Sequence, residues 1–256
     1  MRAMERPFVL AQLSDPHIGA TWAGGDPVAA FAGAVECVRA LEPQPDAVLV
    51  SGDLADNATD FEYEQVRELL APLRAPLFVL AGNHDSRAAL RRHFGIDGTA
   101  DHTLQYSVDL GPMRLVVLDT TRPGEDVGSL SPDELEWLDR ELTDAPQAPT
   151  LVAMHHPPLA TGVPAWDEQS LPVPDRQALG DVIARHPQVQ RVVAGHLHRS
   201  ITGDLAGRPV MTASSTYVQA RLRFGATELE LADEPAGFVL HAVVGGRLVS
   251  HVQPVR

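Results

Sequence analysis

Short apolar runs, each stopped by a polar cluster, recur along the first two hundred residues. Phe8 to Leu13 stops at Ser14-Asp15-Pro16-His17, and Ala47 to Ser51 at Gly52-Asp53. Leu77 to Ala81 stops at Gly82-Asn83-His84-Asp85, Thr150 to Met154 at His155-His156-Pro157-Pro158, and Val189 to Ala194 at Gly195-His196-Leu197-His198. Continuous runs of this length, bounded by turn residues, predict buried strands. Between them the period becomes helical. Asp26 is an N-cap with Pro27 at the first helical position, and Val28, Phe31, Val35, Val38 and Leu41 share one face. Thr59 and Glu62 form a capping box for a helix to about Leu70, and Ser131 and Glu134 another for a helix to about Leu142. A short Arg-rich helix to about Phe94 and one from about Asp175 to His186 complete the helical set.

Two strands near Leu104–Asp109 and Arg114–Asp119 flank Gly111-Pro112 and read as a hairpin. The segment 159–174 is rich in proline and has no period; its length predicts a lid or a wall over a site. Beyond residue 200 only short strands follow, with turns at Ala206-Gly207 and Gly245-Gly246. Alternating strand and helix, then strands, predicts an α/β fold with sheets covered by helices. The expectation is one domain over 1–256, with core motifs at 8–200 and a strand-rich C-terminal part at 200–256.

Composition narrows the setting. A hydrophobic content of 44% suits a sizeable core, and the apolar runs are far shorter than the ~20 residues of a membrane span. The segment Met1 to Pro7 is charged and lacks the apolar centre of a signal peptide, so a cytoplasmic address is expected. Cys37 is the only cysteine, which excludes an internal disulfide and a thiolate metal cage. A formal charge of −14 argues against an extended nucleic-acid-binding surface. It does not exclude an anionic small molecule, provided cations sit in the site.

The strand ends supply the means. Asp15, His17, Asp53, Asn83, His84, His155, His156, His196 and His198 all follow apolar runs, and function in open α/β sheets collects beyond the carboxyl ends of strands. Singly, each has an ordinary role as a loop cap or a satisfied histidine. Together they offer imidazole, carboxylate and amide oxygen without thiolate, which suits Mn, Fe, Zn, Co or Ni rather than calcium. There are more such groups than one ion needs, and two ions sharing a carboxylate is the economical arrangement.

Asp15-x-His17, Gly52-Asp53, Gly82-Asn83-His84-Asp85, His155-His156-Pro157 and Gly195-His196-x-His198 resemble, in order and spacing, the motif set of the calcineurin-like metallophosphoesterases. Ser14 to His17, Ser51 to Asp56 and Met154 to Pro158 bring the likeness nearest to bacterial class III cyclic nucleotide phosphodiesterases and glycerophosphodiesterases. The resemblance implies a four-layer αββα sandwich with two mixed β-sheets. It implies hydrolysis of small phosphodiesters, cyclic nucleotides first, by a metal-bridging hydroxide at a dinuclear centre of Mn, Fe or Zn. Asp15, His17 and His198 would bind one metal and Asn83, His155 and His196 the other, with Asp53 as the bridge. His156 is then left to support the ligands or to face substrate, where Asn83 also lies. His84 would donate to the leaving or phosphoryl oxygen, with Asp85 fixing its ring. Asp56 stands where purple acid phosphatases have a tyrosine ligand, so a tyrosinate–iron site is not expected.

Other outcomes on the same core are a glycerophosphodiesterase, a phosphonate-related hydrolase or a broad phosphomonoesterase. A non-enzymatic interaction scaffold is a further alternative, but such proteins lose ligands and none is lost here. The resemblance allows a homodimer without fixing one. Trp166 and Tyr217 are candidates to stack on a base at the pocket mouth, although packing explains them equally. His93, His102, His186, His241 and His251 have no partner at ligand spacing and are expected in solvent, and the Arg87 helix is expected to present a solvated face.

Overall fold

The computed structural model describes residues 6–99 and 102–255, so the first five residues of the charged N-terminal segment lie outside it. In chain order the strands are β1 (Phe8–Leu13), β2 (Ala47–Ser51), β3 (Leu77–Leu80), β4 (Tyr106–Asp109), β5 (Arg114–Val117), β6 (Thr150–Ala153) and β7 (Val189–Ala194). They continue as β8 (Thr202–Leu205), β9 (Arg208–Thr212), β10 (Gln219–Ala220), β11 (Leu231–Ala232), β12 (Gly237–Val244) and β13 (Arg247–Pro254). The helices are α1 (Pro27–Arg39), α2 (Asp60–Leu70), α3 (Arg87–Phe94), α4 (Pro132–Asp144), α5 (Pro164–Asp167) and α6 (Val173–Arg185). The caps expected at Asp26, Thr59 and Ser131 are all made, the last two as full capping boxes.

Two large sheets form, ordered β13-β12-β1-β2-β3 and β4-β5-β6-β7-β9-β8, and β10 and β11 pair separately as a two-stranded ribbon. Both large sheets are mixed. In the first, β12 and β13 join antiparallel to a parallel core, and in the second β4 and β8 close the edges antiparallel. Strand side chains alternate between faces, and that alternation sorts the layers. Leu10, Leu49, Leu115, Val117, Leu151 and Val193 point between the sheets. Ala11, Leu13, Val48 and Val50 point instead to α1, α2 and α3, while Val116, Val152 and Val192 point to α4 and α6. The outcome is the four-layer αββα sandwich.

The inter-sheet layer has one polar seam. Gln12 is buried and donates through Nε2 to Ser51 Oγ at 2.9 Å and to the Ala194 carbonyl at 3.0 Å, tying β1 to β2 and to β7 of the other sheet. Its Oε1 accepts from His241 Nε2 at 2.9 Å, and His241 Nδ1 accepts from Ser250 Oγ at 2.6 Å. Expected in solvent, His241 is fully buried, because its partner lies on a strand 229 residues away in sequence. His186 is buried too, against Asp139 at 2.7 Å.

Burial, with Arg191 nearby, pushes the His241 pKa down to about 3. The unfolded chain binds a proton near pH 6.5 that the folded chain refuses, so this stability is complete above pH 6.5 and is lost as pH falls toward 3. His241→Gln is expected to remove about 2 kcal/mol of the destabilisation between pH 7.5 and pH 5. Urea unfolding of chelator-treated protein at both pH values checks this; identical pH dependence in the variant would refute it.

Candidate metal centre

The carboxyl ends of β1, β2, β3, β6 and β7 open onto one edge of the sandwich, where their loops interlock. Asp15 N donates to the Gly52 carbonyl, His17 N to that of Asp53, and Gly195 N to that of His155. Close approach demands glycine here. A Cβ at Gly82 would strike the Asp53 carboxylate and backbone nitrogen, and one at Gly195 would strike Ser14 Oγ. Asp15, His17, Asp53, His196 and His198 all take positive φ, between 46° and 69°. This left-handed region costs a non-glycine residue roughly 1–2 kcal/mol. Strain gathered at five groups of one cluster marks the site as functional.

The structure brings all seven expected ligands together. Asp53 Oδ2 lies 3.4 Å from His17 Nε2 and 3.3 Å from His155 Nε2. His17 Nε2 is 3.0 Å from His198 Nε2, and His155 Nε2 is 3.1 Å from Asn83 Oδ1 and 3.2 Å from His196 Nδ1. Asp15 Oδ1 is 3.8 Å from His198 Nε2 and 4.0 Å from His155 Nε2, and it accepts from His196 N at 3.0 Å.

The hydrogen bonds behind the rings decide whether the set fits metal. His155 Nδ1 donates to the Ser51 carbonyl at 2.9 Å, His198 Nδ1 to that of Val218 at 2.9 Å, and His17 Nδ1 to Asp56 Oδ1 at 3.0 Å. Each outward bond fixes a tautomer whose Nε2 lone pair points inward. Three inward-facing Nε2 atoms and two carboxylates then converge, and His196 Nε2 is buried without a partner. Such a donor set calls for cations. The field agrees: burial disfavours charge on His155, yet Asp53 and Asp15 outweigh it and hold its pKa up to about 9. Asp53, pulled down by His155 and His17 against the cost of burial, stays well below the usual carboxylate range.

Asp85 and the His84 ring sit differently from expectation, and of the two roles open to His156 the geometry favours one. Asp85 does not touch His84. Its carboxylate accepts from the backbone of Gly82, Leu54 and Ala55 and from the Tyr63 hydroxyl, knotting the loop after β3 to the loop after β2. The His84 ring is held by Asp56, whose carbonyl lies 3.0 Å from His84 Nδ1 and whose carboxylate lies 3.5 Å from it. His84 stays about a third exposed and stands edge-on to His17 at 4.7 Å. His156 is fully buried, with Nδ1 on Thr120 Oγ1 at 2.9 Å and Nε2 on the Asp126 carbonyl at 3.2 Å, and so supports the ligand loops instead of facing substrate.

A cavity of ≈ 350 Å³ lies over the cluster, lined by His17, Asp53, Asn83, His84, His196 and His198 on one side. The segment 159–174 contributes α5 and packs as a wall, with Val163, Trp166 and Leu171 buried. Arg87 is anchored on buried Asp119 at 2.7 Å, a pairing across 32 residues that local pattern does not reveal. Trp22, also on the cavity wall, lies in a loop with no distinguishing local spacing.

Comparison with known proteins agrees with this geometry. Residues 8–200 match the Calcineurin-like phosphoesterase family. A cAMP/cGMP dual specificity phosphodiesterase of Mycobacterium tuberculosis is 34% identical, covering 97% of this chain and 85% of that protein. A protein of Arcobacter nitrofigilis named probable glycerophosphodiester phosphodiesterase GpdQ is 31% identical over 91% of this chain and 88% of its own length. A dimetal phosphatase from Danio rerio superposes with a TM-score of 0.74 at 18% identity, covering 98% of both chains, and so shares the fold.

Proposed function

The chain belongs to the calcineurin-like phosphoesterase family and is a phosphoesterase hydrolase; on that basis we propose that it cleaves small phosphodiesters, cyclic nucleotides foremost, at a dinuclear metal centre. In this reading Asp15, His17 and His198 hold one ion, Asn83, His155 and His196 hold the other, and Asp53 joins them. The single observation that carries it is Asp53 Oδ2, set between His17 and His155 at 3.4 and 3.3 Å. Nitrogen and oxygen donors without thiolate suit Mn, Fe or Zn. Such ions, when bound, supply Lewis acidity toward phosphoryl oxygens and lower the pKa of water to ~7.

The chain's own groups do the rest. The outward hydrogen bonds of His17, His155 and His198 keep their Nε2 atoms aimed into the centre, where a bound cation would take the place of a proton. His84 gives Nδ1–H to the Asp56 carbonyl, so Nε2 carries a proton only in the imidazolium form. In that form it donates to the leaving oxygen, with the Asp56 carboxylate as counter-ion. Asp85 positions this machinery through the backbone and takes no part in proton transfer. Among the described residues no arginine lines the cavity, which suits the single charge of a diester better than a phosphomonoester dianion.

The relative with cyclic nucleotide specificity, at 34% identity, supports the substrate class. The relative named as a glycerophosphodiesterase supports a second reading on the same core. A cytoplasmic address accompanies the first reading, and among the described residues no helix is long and apolar enough to cross a membrane. We take residues 8–255 to act as one domain, because β12 pairs directly with β1.

Turnover of bis-p-nitrophenyl phosphate, cyclic AMP, cyclic GMP and a glycerophosphodiester, with Mn or with chelator, tests both readings. Chelator is expected to abolish turnover and added Mn to restore it. Absence of metal-dependent turnover of every diester would sink the enzyme reading, and activity confined to the glycerophosphodiester would favour the second.

A further inference from the structure

Beyond the phosphate-binding side, the cavity wall is apolar and presents Trp22, Trp166, Leu229 and Leu231. Among the described residues no arginine lines this wall; Glu230 is already paired with Arg221 and Arg223, and Asp126 would repel a second phosphate or a carboxylate. The part of the substrate that does not react is therefore not anionic, and the apolar surface favours a group without charge. A volume of ≈ 350 Å³ falls in the range of small-molecule sites.

The aromatic side chains on or beside this wall are not equivalent. Trp166 is 2% exposed and spent in packing with Val163, Ala165 and Leu197. Tyr217 is 8% exposed, and its hydroxyl donates to the Ala23 carbonyl at 3.1 Å. Trp22 is 48% exposed, yet its indole is not loose. Nε1–H donates to Asp56 Oδ1 at 2.9 Å, and the ring stands edge-on to His17 at 5.4 Å and steeply inclined to Tyr217 at 5.8 Å. A half-exposed indole held through Nε1, beside the rings of His17 and His198, is a preorganised platform for a flat group. Leu229 and Leu231, 53% and 44% exposed, line the same cavity and extend the apolar surface. An exposed apolar patch of this kind, inside a site, marks where a ligand packs.

We propose that Trp22 stacks on a neutral planar group of the substrate, a nucleobase, and thereby sets the preference among phosphodiesters. The inference rests on the phosphodiesterase reading above. Stacking of a base on an aromatic side chain is sequence-tolerant, so cyclic AMP and cyclic GMP both fit.

Kinetics of the Mn-loaded enzyme with cyclic AMP and with glycerophosphoethanolamine, which lacks a planar group, test it. Trp22→Ala is expected to raise KM for cyclic AMP about tenfold to a hundredfold with kcat nearly unchanged. The same change is expected to lower kcat/KM for glycerophosphoethanolamine at least about fivefold less than for cyclic AMP, and Trp22→Phe to restore most of the cyclic AMP affinity by returning a π-face. Equal losses on both substrates, or a Trp22→Phe variant as impaired as Trp22→Ala, would mean that Trp22 acts through its bond to Asp56 and would overturn the proposal. An unchanged KM in Trp22→Ala would also overturn it. Wild-type enzyme that cleaves bis-p-nitrophenyl phosphate but no cyclic nucleotide would instead defeat the substrate reading, and this inference with it.

Discussion

Asp53→Ala is expected to leave a folded chain that retains fewer than two metal ions and loses at least about a thousandfold in kcat, a cost of several kcal/mol in transition-state stabilisation. The reasoning starts from what the carboxylate touches. Asp53 Oδ1 accepts from His84 N at 2.9 Å, while Oδ2 faces His17 and His155. One oxygen therefore orders the loop that carries His84, and the other serves both halves of the centre. Truncation leaves two buried imidazoles without the charge between them. The field that sustains a proton on His155 up to about pH 9, and that would equally favour a cation, loses its largest favourable contributor. Asp53→Asn separates the two duties. Asparagine tolerates the φ of 50° and keeps an acceptor for His84 N, but carries no charge. Metal content by elemental analysis, alongside kcat/KM, checks both variants. Two tightly held ions in Asp53→Asn would refute the bridge.

What was legible in the chain, and what was not, follows from the range of the interactions. Apolar runs ending in Gly52-Asp53 or Gly82-Asn83 announce strands and the loops beyond them, because burial and turn chemistry are local. Capping boxes at Thr59 and Ser131 are equally local, and they form as read. The orientation of a ring is not local. His241 and Gln12 meet across the first sheet, and His84 meets Asp56 instead of its own neighbour Asp85. His156 follows His155 directly, yet alternation turns one ring into the centre and the other away to Thr120. Sequence spacing brought the ligands to one edge. It could not say which of two adjacent polar side chains faces inward, because that depends on partners from other strands. Trp22 escaped for the same reason: only the fold sets it beside His17.

The second large effect separates proton donation from metal binding. His84→Ala is expected to keep both ions, since the ring contacts Asp56 through Nδ1 and makes no bond to the convergent nitrogens. It is expected to lower kcat for cyclic AMP by about a hundredfold to ten-thousandfold, the usual worth of a positioned general acid. KM should change little, because the donor acts on charge that develops on the leaving oxygen. The size of the loss should track the leaving group. A ribose alkoxide needs its proton in the transition state, whereas p-nitrophenolate leaves as a stable anion. His84→Ala should therefore damage cyclic AMP turnover at least about tenfold more than bis-p-nitrophenyl phosphate turnover. Asp56→Asn should weaken both, through the ring orientations of His17 and His84. Parallel steady-state kinetics on the two diesters, with metal content measured on each variant, decide the matter. Equal losses on both substrates would place the His84 proton on a phosphoryl oxygen instead of the leaving one, and loss of metal would make His84 a ligand.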